Sequence, residues 1–407
     1  MTEASLKPGW TKVKFGEVVR LCKDRSSDPE ADGIERYVGL EHLEPEDLRI
    51  RSWGLVADGT TFTSRFKPGQ VLFGKRRAYQ RKVAVADFEG ICSGDIYVFE
   101  SASPKHLLPQ LLPFICQAEY FFEYAIGTSA GSLSPRTNWK QLKNFEFALP
   151  SIQDQEELVQ ILNLIQKNIW AIGDAILVNK SLEESLFNSL LRGRGVADGS
   201  ELCRSSFGKI PVDWPIRKVS ELGNVSYGIS AAVSGNTDPS IGWPILTSAN
   251  ITLDGVFDLG KLVYYPEPKK DNFILKKGDV LLNWRSGSQE HVGKVAIFDM
   301  DGCWTYASFI LRISPDVEQV NNKYLWRFLE YMRKNQVFGR STSQQINFKM
   351  NASYFRNVEV VAPQKEVQDK IVEILEPCWK AGKDLTERLI KAQEVKQLFL
   401  NRDLRRV

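Results

Sequence analysis

Cations are concentrated in one stretch of the sequence that contains no acidic residue, from Gly59 to Ala86. Lysine and arginine neutralise phosphates, and arginine and glutamine bind guanine and adenine edges through paired hydrogen bonds. The stretch therefore predicts a DNA-contacting loop, with a solvated surface loop as the alternative. Its candidate residues are Lys75, Arg76, Arg77, Tyr79, Gln80, Arg81 and Lys82.

A second candidate loop lies at the corresponding place in the other half of the chain. It follows a strand-like segment of the same type but carries different side chains. The same framework with different side chains is typical of two recognition modules for two different sequences. The candidate residues here are Trp284, Arg285, Ser286, Ser288, Gln289, His291 and Lys294.

Another pair of polar loops comes before a proline in each half. Their amide and cationic side chains suit base edges or phosphates, although a turn leading into the last strand explains them equally well. The candidate residues are Arg136, Asn138 and Lys140 in the first half, and Gln344, Gln345, Asn347 and Lys349 in the second.

The elements that must position these loops repeat once along the chain. The segment KPGQVLF, starting at Lys67, returns as KKGDVLL, starting at Lys276. The segment from Asn144 to Asn163, which contains Pro150, returns with Pro363 at the matching position. A half-chain repeat of this kind predicts one supersecondary arrangement used twice.

A long helical segment closes each half, and apolar residues recur in it at heptad spacing. The apolar stripe is broader than a two-helix seam, so we expect each helix to pack on the other and also to contact globular parts or a partner. Proline within a helix predicts a kink or break near Pro377. The predicted pairing or docking residues are Leu158, Ile161, Ile165, Ile172, Leu186, Ile371, Ile374, Leu385, Val395 and Phe399.

The order within each half predicts an α/β fold made of two globular modules and two long helices. The expected segments are 1–150 (first module), 151–195 (central helix), 196–362 (second module) and 363–407 (C-terminal helix). The three glycines between Arg192 and Ser200 are typical of a helix stop followed by a linker.

Catalytic and cofactor signatures are missing from the sequence. It has 407 residues, three histidines, six scattered cysteines and a formal net charge of +3. No phosphate-binding loop, dinucleotide fingerprint, metalloprotease motif or nucleophile elbow occurs, so we expect no catalytic, metal or cofactor site in this chain. The first residues do not resemble a secretory signal and no segment is predicted to span a membrane, which favours a cytoplasmic protein.

These features together resemble the specificity subunit of type I restriction-modification systems. The resemblance rests on the K-x-G-[DQ]-V-L strand in each half, the helix entries Pro150 to Gln155 and Pro363 to Gln368, and the segment SLFNSLLRG from Ser185 to Gly193. It implies two target-recognition domains in a pseudo-twofold repeat, each reading one half of a split site in double-stranded DNA. It also implies that the two helices pair as an antiparallel coiled coil.

The resemblance further implies partners. Two modification subunits, which bind S-adenosylmethionine, are expected on the helices, with restriction subunits joining outside them. Two other classes remain open from the residues alone. The first is an enzyme, a fused nuclease or methyltransferase with a degenerate site, for which an assay of methyl transfer by the purified chain would decide. The second is a repeat-built structural or protein-interaction protein, which would show no salt-dependent binding of duplex DNA.

Overall fold

The structure, a computed structural model, describes residues 6–286, 291–338, 348–349 and 351–404. The chain divides into two compact units. Unit 1 contains the residues up to Ile176 together with those from Asp384 onward, and unit 2 runs from Leu177 to Lys383. Each unit therefore combines one globular module with one half of each long helix.

Unit 1 is built mainly on antiparallel strands, with one parallel pair. Its elements are β1 (Thr11–Lys14), α1 (Phe15–Val18), β2 (Val19–Cys22), β3 (Arg36–Val38), β4 (Gly54–Leu55), β5 (Ser64–Phe66), β6 (Val71–Gly74), β7 (Val83–Val85), β8 (Gly90–Cys92), β9 (Ile96–Ser101), α2 (Leu112–Ile115), α3 (Glu119–Gly127), α4 (Trp139–Leu142), β10 (Glu146–Leu149) and α5 (Ile152–Leu190), which continues into unit 2. One sheet has the order β2, β9, β6, β7, and a second has the order β4, β3, β8, β5, in which β3 and β8 are the parallel pair.

Unit 2 repeats the first of these sheets. Its elements are β11 (Leu202–Ser205), β12 (Gly208–Pro211), β13 (Ile216–Lys218), α6 (Val219–Leu222), β14 (Gly223–Tyr227), β15 (Trp243–Leu246), β16 (Val263–Tyr265), β17 (Val280–Asn283), β18 (Arg285–Ser286), β19 (Val295–Ile297), β20 (Thr305–Tyr306), β21 (Ile310–Pro315), α7 (Asn322–Lys334), β22 (Phe348–Lys349), α8 (Ala352–Arg356), β23 (Glu359–Val361) and α9 (Lys365–Asp403), which continues into unit 1. The order β14, β21, β17, β19 matches β2, β9, β6, β7.

Both repeated strands, β6 and β17, are fully buried and are entered through the same turn. Gly69 and Gly278 have φ values of +86° and +93°, which glycine adopts without steric cost. In unit 1 the side chain of Gln70 accepts a hydrogen bond from the Lys67 backbone N–H, and in unit 2 the Asp279 side chain does the same for Lys276, both at 2.8 Å. The K-x-G-[DQ] pattern therefore encodes a self-capped turn.

A buried glutamine fixes the start of each long helix. Gln155 Nε2 donates to the carbonyls of Pro150 and His106, and its Oε1 accepts from the Leu108 N–H at 2.9 Å. Gln368 makes the equivalent bonds to Pro363, Gln319 and Asn321. Both side chains are fully buried. Each one satisfies backbone groups that would otherwise lose their hydrogen bonds on burial.

The long helices pair antiparallel within each unit. In unit 1, Lys396 Nζ donates to Gln166 Oε1 at 2.7 Å, and Leu162 shares a core with Leu400. In unit 2, the Trp379 indole N–H donates to Glu183 at 2.9 Å. Asn179 donates to the carbonyl of Cys378 in the same unit at 3.0 Å.

The buried seam contains some of the predicted pairing or docking residues and leaves others exposed. Leu158 and Ile371 are buried as predicted, whereas Ile161, Ile374 and Val395 are exposed. Buried positions on α5 step from Leu158 to Leu162 to Gln166, which turns Ile161 to the outer flank. On α9 the buried positions belong to the next residues along the chain: Leu375 is buried beside the exposed Ile374, and Lys396 is buried beside the exposed Val395. The remaining pairing candidates, Ile165, Ile172, Leu186, Leu385 and Phe399, are half-buried.

Of the kink or break predicted near Leu375 to Pro377, the break is not present, because α9 is one helix from Lys365 to Asp403. Proline removes one hydrogen-bond donor, which leaves the carbonyl of Glu373 without its helical partner. Pro377 and Glu373 both lie on the exposed side of the helix. Water is therefore available to this carbonyl, and the helix continues.

By length and composition alone, α5 resembles a membrane-spanning helix, since an 18-residue window has a mean hydropathy of 1.2. Its residues Leu158, Leu162 and Ile169 are buried in the protein, the first two in the core of unit 1. Only 17% of that window is buried within the protein, and a single helix of this kind is weak evidence for a membrane span.

Candidate nucleic-acid interface

The two polar loops predicted in the first half are neighbours in the structure. Arg76 and Arg136 form a backbone bridge between the loops. The Arg77 N–H donates to the carbonyl of Pro135, and the Thr137 N–H donates to the carbonyl of Lys75, both at 2.8 Å. Two segments that are far apart in the sequence thus form one surface of unit 1.

Asp95 organises the side chains of this surface. Its carboxylate accepts from Arg76 Nη1 at 3.2 Å and from Arg136 Nε at 3.0 Å. Partial burial opposes ionisation of Asp95, but the hydrogen bonds and charges of Arg136 and Arg76 outweigh it and hold its pKa below the ordinary value. Ser134 Oγ accepts from Arg76 Nε at 2.7 Å. Both guanidinium groups are therefore held in place before any ligand binds.

The other residues of this loop differ in exposure. Arg77 is exposed, with its backbone in the left-handed region at φ 55°, and Tyr79 is exposed beside it. Lys75 lies over the ring of Tyr97, 4.7 Å from its centroid, and burial lowers its pKa while Asp95 partly opposes that shift. Gln80 is half-buried. Strained arginine backbone at a cationic surface is a feature often found at functional sites.

Arg81 and Lys82 have internal partners, which corrects their assignment as candidate DNA contacts. The guanidinium of Arg81 pairs with Glu46 at 3.0 Å and with Glu119, and it lies over the ring of Phe122. Lys82 Nζ donates to the carbonyl of Leu40 at 2.8 Å. Two carboxylates pair with Arg81 and a carbonyl accepts from Lys82, so both cations contribute to holding the module together.

Lys294 is the counterpart of Lys82 in the second half, and its assignment is corrected for the same reason. It stands immediately before β19, as Lys82 stands immediately before β7. Lys294 is buried and donates to the carbonyl of Ser248 at 2.8 Å. Burial and the nearby Arg333 lower its pKa.

Asn138 and Lys140 occupy the exposed start of α4. The side chain of Asn138 accepts a hydrogen bond from the Lys140 N–H at 2.9 Å, which is the usual role of asparagine at a helix N-cap. Both residues are exposed. Lys140 is therefore placed for a phosphate contact, and Asn138 has a structural role in the conformation described here.

The two candidate loops of the second half are also neighbours. Strand β18 pairs antiparallel with β22, and Arg285 lies opposite Lys349. Arg285 is the second residue after β17, as Arg76 is after β6. Lys349 precedes Pro363 by the same interval by which Arg136 precedes Pro150. The pairing of the two loops is therefore a repeated feature of the fold.

Aromatic rings surround the loop in unit 2. The Trp284 indole N–H donates to the Ser308 carbonyl at 2.6 Å, and its ring contacts Tyr227 and Phe309. Asn283, which precedes the loop, is buried and donates to the carbonyl of His291. Ser286 and His291 are half-buried. The predicted residues Ser288, Gln289, Gln344, Gln345 and Asn347 lie outside the described residues.

Sequence reasoning missed Asp95, Phe309 and Tyr227. A search for cations and amides overlooks both a carboxylate that orients arginines and an aromatic surface beside one. The available signal was position, since Asp95 and Phe309 each stand immediately before a long repeated strand, β9 and β21.

Metal-binding clusters are absent from the described part of the chain, and the six cysteines are free. The fold and the paired loops together define a protein with two related globular modules and two long paired helices.

The comparisons with known proteins identify the family. A family model, the type I restriction modification DNA specificity domain, matches residues 8–175 and again residues 211–395. These matches cover most of the chain, and the chain therefore belongs to this family, as the sequence resemblance predicted. It is a family of specificity subunits and not of catalytic ones.

Individual relatives are distant. The chain is 25% identical over 219 residues to the type I restriction enzyme EcoDI specificity subunit of Escherichia coli, which covers 52% of this chain but only 44% of that relative. It is 20% identical to the MjaVIII specificity subunit of Methanocaldococcus jannaschii, over 90% of this chain and 87% of the relative.

A solved structure shows the same fold across the chain. The S subunit of a type I restriction-modification system from M. genitalium superposes with a TM-score of 0.58 at 12% identity. The match covers 98% of this chain and 97% of the other.

Proposed function

We propose that this chain is the sequence-specific DNA-binding subunit of a type I restriction-modification complex, and that each unit reads one half of a split target in double-stranded DNA. One observation carries the proposal. The two polar loops form one surface in each unit, at equivalent positions of the repeat but with different side chains. A shared frame with different surface residues is what two half-sites of different sequence require.

Unit 1 offers the clearer electrostatic surface. Arg76 and Arg136 are partly exposed, and Arg77 and Lys140 are exposed. Cations of this kind neutralise phosphates and release counterions, which supplies much of the affinity for duplex DNA. Orientation of the arginines by Asp95 lowers the entropic cost of binding.

The helices have two proposed roles, which are to set the spacer between the half-sites and to dock two modification subunits. Support for docking comes from apolar side chains that remain exposed on the helices: Ile161, Leu164, Leu182, Ile374, Val395 and Leu398. The modification subunits bind S-adenosylmethionine and supply the methyl-transfer chemistry. Restriction subunits join outside them, and the complex works in the cytoplasm.

Methylation mapping tests the recognition role. The complex assembled with its modification subunits is given S-adenosylmethionine and a random-sequence duplex library, and the methylated positions are sequenced. We expect one motif in two parts with a fixed gap. Scattered methylation without a motif would contradict the proposal. Binding of duplex DNA should also weaken steeply as salt increases.

Helix length tests the spacer role. The residues around Asn179 face Cys378 and Gly382, so seven residues inserted after Asn179 and seven after Lys380 keep the facing register. The pair then lengthens by about 10 Å, or roughly three base pairs of DNA. We expect a longer gap with unchanged half-sites. Full activity on the original gap would show that the helices do not set the spacer.

A further inference from the structure

Equivalent arginines of the two units have different neighbours. Arg76 and Arg285 are each the second residue after a repeated strand, β6 and β17. The residue before each one donates its backbone N–H to the same position of the repeat: Lys75 to Asp95 at 3.0 Å, and Trp284 to Phe309 at 3.2 Å. Asp95 and Phe309 therefore occupy the same place beside the two arginines.

In unit 1 two of the five N–H donors of the arginine, one on Nε and one on Nη1, are in use inside the protein. Arg76 Nη1 donates to Asp95, and Arg76 Nε donates to Ser134. A guanidinium binds a base edge through two donors in a planar fork. Because Nε and Nη1 of Arg76 already donate inside the protein, its guanidinium orients the loop and keeps fewer paired donors for a base edge than a guanidinium without such bonds.

In unit 2 the arginine lies on a ring. The guanidinium carbon of Arg285 is 5.3 Å from the ring centroid of Phe309, which is 45% exposed. A ring face attracts a cation without accepting its N–H groups as a carboxylate does. Among the described residues, none accepts a hydrogen bond from the Arg285 side chain.

The ring belongs to a larger aromatic cluster. Trp284 contacts Tyr227 at 5.4 Å and Phe309 at 6.4 Å between ring centroids, and Tyr227 is also exposed. The cluster holds Trp284 beside Arg285, and the backbone pairing of Arg285 with Lys349 fixes the strand. The position of the guanidinium is thus restricted while no described residue uses its donors.

We propose that Arg285 is a specificity-determining residue of unit 2 that donates its paired N–H groups to two adjacent acceptors on a base edge, the pattern that guanine presents in the major groove. This inference rests on the proposed function. In it, Phe309 is a positioning residue that restrains the guanidinium without occupying its donors.

The test uses the assembled methyltransferase and the random duplex library. Replacing Arg285 by Ala or by Lys should lower the preference for guanine at one base pair of one half-site by roughly 10- to 100-fold, because neither side chain provides a planar donor pair. Phe309→Asp recreates the pairing of unit 1 and should lower preference at the same base pair. Phe309→Tyr keeps the ring and should retain it.

The outcomes separate this inference from the proposed function. The other half-site serves as an internal control for folding and assembly, and it should be read normally in every variant. An unchanged motif with Arg285→Ala overturns the inference, and so does an equal loss of affinity for all sequences, which indicates a phosphate contact. Absence of a split motif with the unmodified chain contradicts the proposed function itself.

Discussion

The two units agree where side chains hold the backbone and differ where side chains face outward. Gln155 and Gln368 tie the helix entries in the same way, and Lys82 and Lys294 each donate to a backbone carbonyl. At the paired loops the side chains of the two units differ, since Phe309 occupies in unit 2 the position that Asp95 occupies in unit 1. The comparison shows that the frame of the module and its recognition surface are separate sets of residues. One set can therefore change without the other.

The units also differ in how each globular module is fixed to helix α5. In unit 1, Arg49 pairs with Asp174 at 3.1 Å, and their side chains are 28% and 51% exposed. In unit 2, Arg327 pairs with Glu183 at 2.7 Å, and these side chains are 0% and 14% exposed. Exposed ion pairs contribute little, whereas breaking a buried one leaves an uncompensated charge.

Exchange of a whole module should have the largest effect. Strand β1 pairs with β10 from Thr11 to Leu149, which closes the first module. Replacing residues 11–149 by the matching segment of a relative should change one half of the methylated motif and leave the other half intact. Methylation mapping of the hybrid measures both halves at once. A change in both halves would show that the modules do not read independently.

Arg327→Ala should destabilise unit 2 by about 3–5 kcal/mol, because Glu183 then remains largely buried without a cation and keeps only the neutral indole N–H of Trp379. The ring of Phe187, 4.8 Å from the Arg327 guanidinium carbon, also loses its cation. Urea unfolding measures the change. A decrease in the free energy of unfolding of less than about 1 kcal/mol would show that this ion pair contributes no more than an exposed pair does. The double variant with Glu183→Gln should recover part of the loss.

Lys396→Met should remove the pH dependence that the buried ammonium gives to the free energy of unfolding, while it leaves the buried side-chain oxygens of Gln117 and Gln166 without their donor. Burial lowers the pKa of Lys396 to about 8 from 10.5, with Glu46 and Asp47 partly opposing the shift. The difference corresponds to a cost on the order of 3 kcal/mol in the protonated state. The neighbouring Gln117 and Gln166 accept its hydrogen bonds but carry no charge.

The pH dependence provides the control for Lys396. Below about pH 8 both the folded and unfolded states hold the proton, and the full cost is present. Between pH 8 and 10.5 only the unfolded state retains it, so stability should rise with pH across that range in the unmodified chain. The methionine variant should lack this contribution. Equal slopes for both proteins would contradict the assignment.

Gln155→Ala and Gln368→Ala form a matched pair of variants. Each removes buried hydrogen bonds to two carbonyls and one backbone N–H, which should cost about 1–3 kcal/mol. Because the two sites are equivalent, the losses should agree within measurement error in urea unfolding. Markedly unequal losses would show that the two helix entries differ in stability although their hydrogen bonds are equivalent.

Asp174→Asn should have the smallest effect, about 0–1 kcal/mol, because the pair with Arg49 and Arg51 is exposed and screened by salt. The same unfolding assay detects it at low ionic strength, with Asp174→Glu as the charge-conserving control. A loss as large as that of Arg327→Ala would remove the contrast between the two anchors.

Much of the frame was predictable because its signals are local. The K-x-G turn needs a glycine at positive φ, and the Pro-x-x-x-x-Gln entry places one buried amide near its carbonyl, both within a few residues. The helix seam was predicted less well, because Gln166 and Lys396 occupy buried positions that a count of apolar residues passes over.

The wrong assignment of two cations as ligand contacts has a different cause. Arg81 and Lys82 were predicted as ligand contacts because the surrounding sequence is cationic, but their partners Glu119 and Leu40 lie in distant parts of the sequence. No local pattern reveals a partner at such a separation. Asp95 was missed for the related reason that its role depends on two arginines from separate loops.

The division of the two long helices between the units has a consequence for biosynthesis. Unit 2 is one continuous stretch, from Leu177 to Lys383, while unit 1 needs both the first part of the chain and the residues from Asp384 onward. A ribosome therefore finishes every residue of the second module before the first has its last helical segment. Until then Leu158 and Leu162 lack Leu400 and Leu404, their partners in the core. The module translated first is the last to be completed.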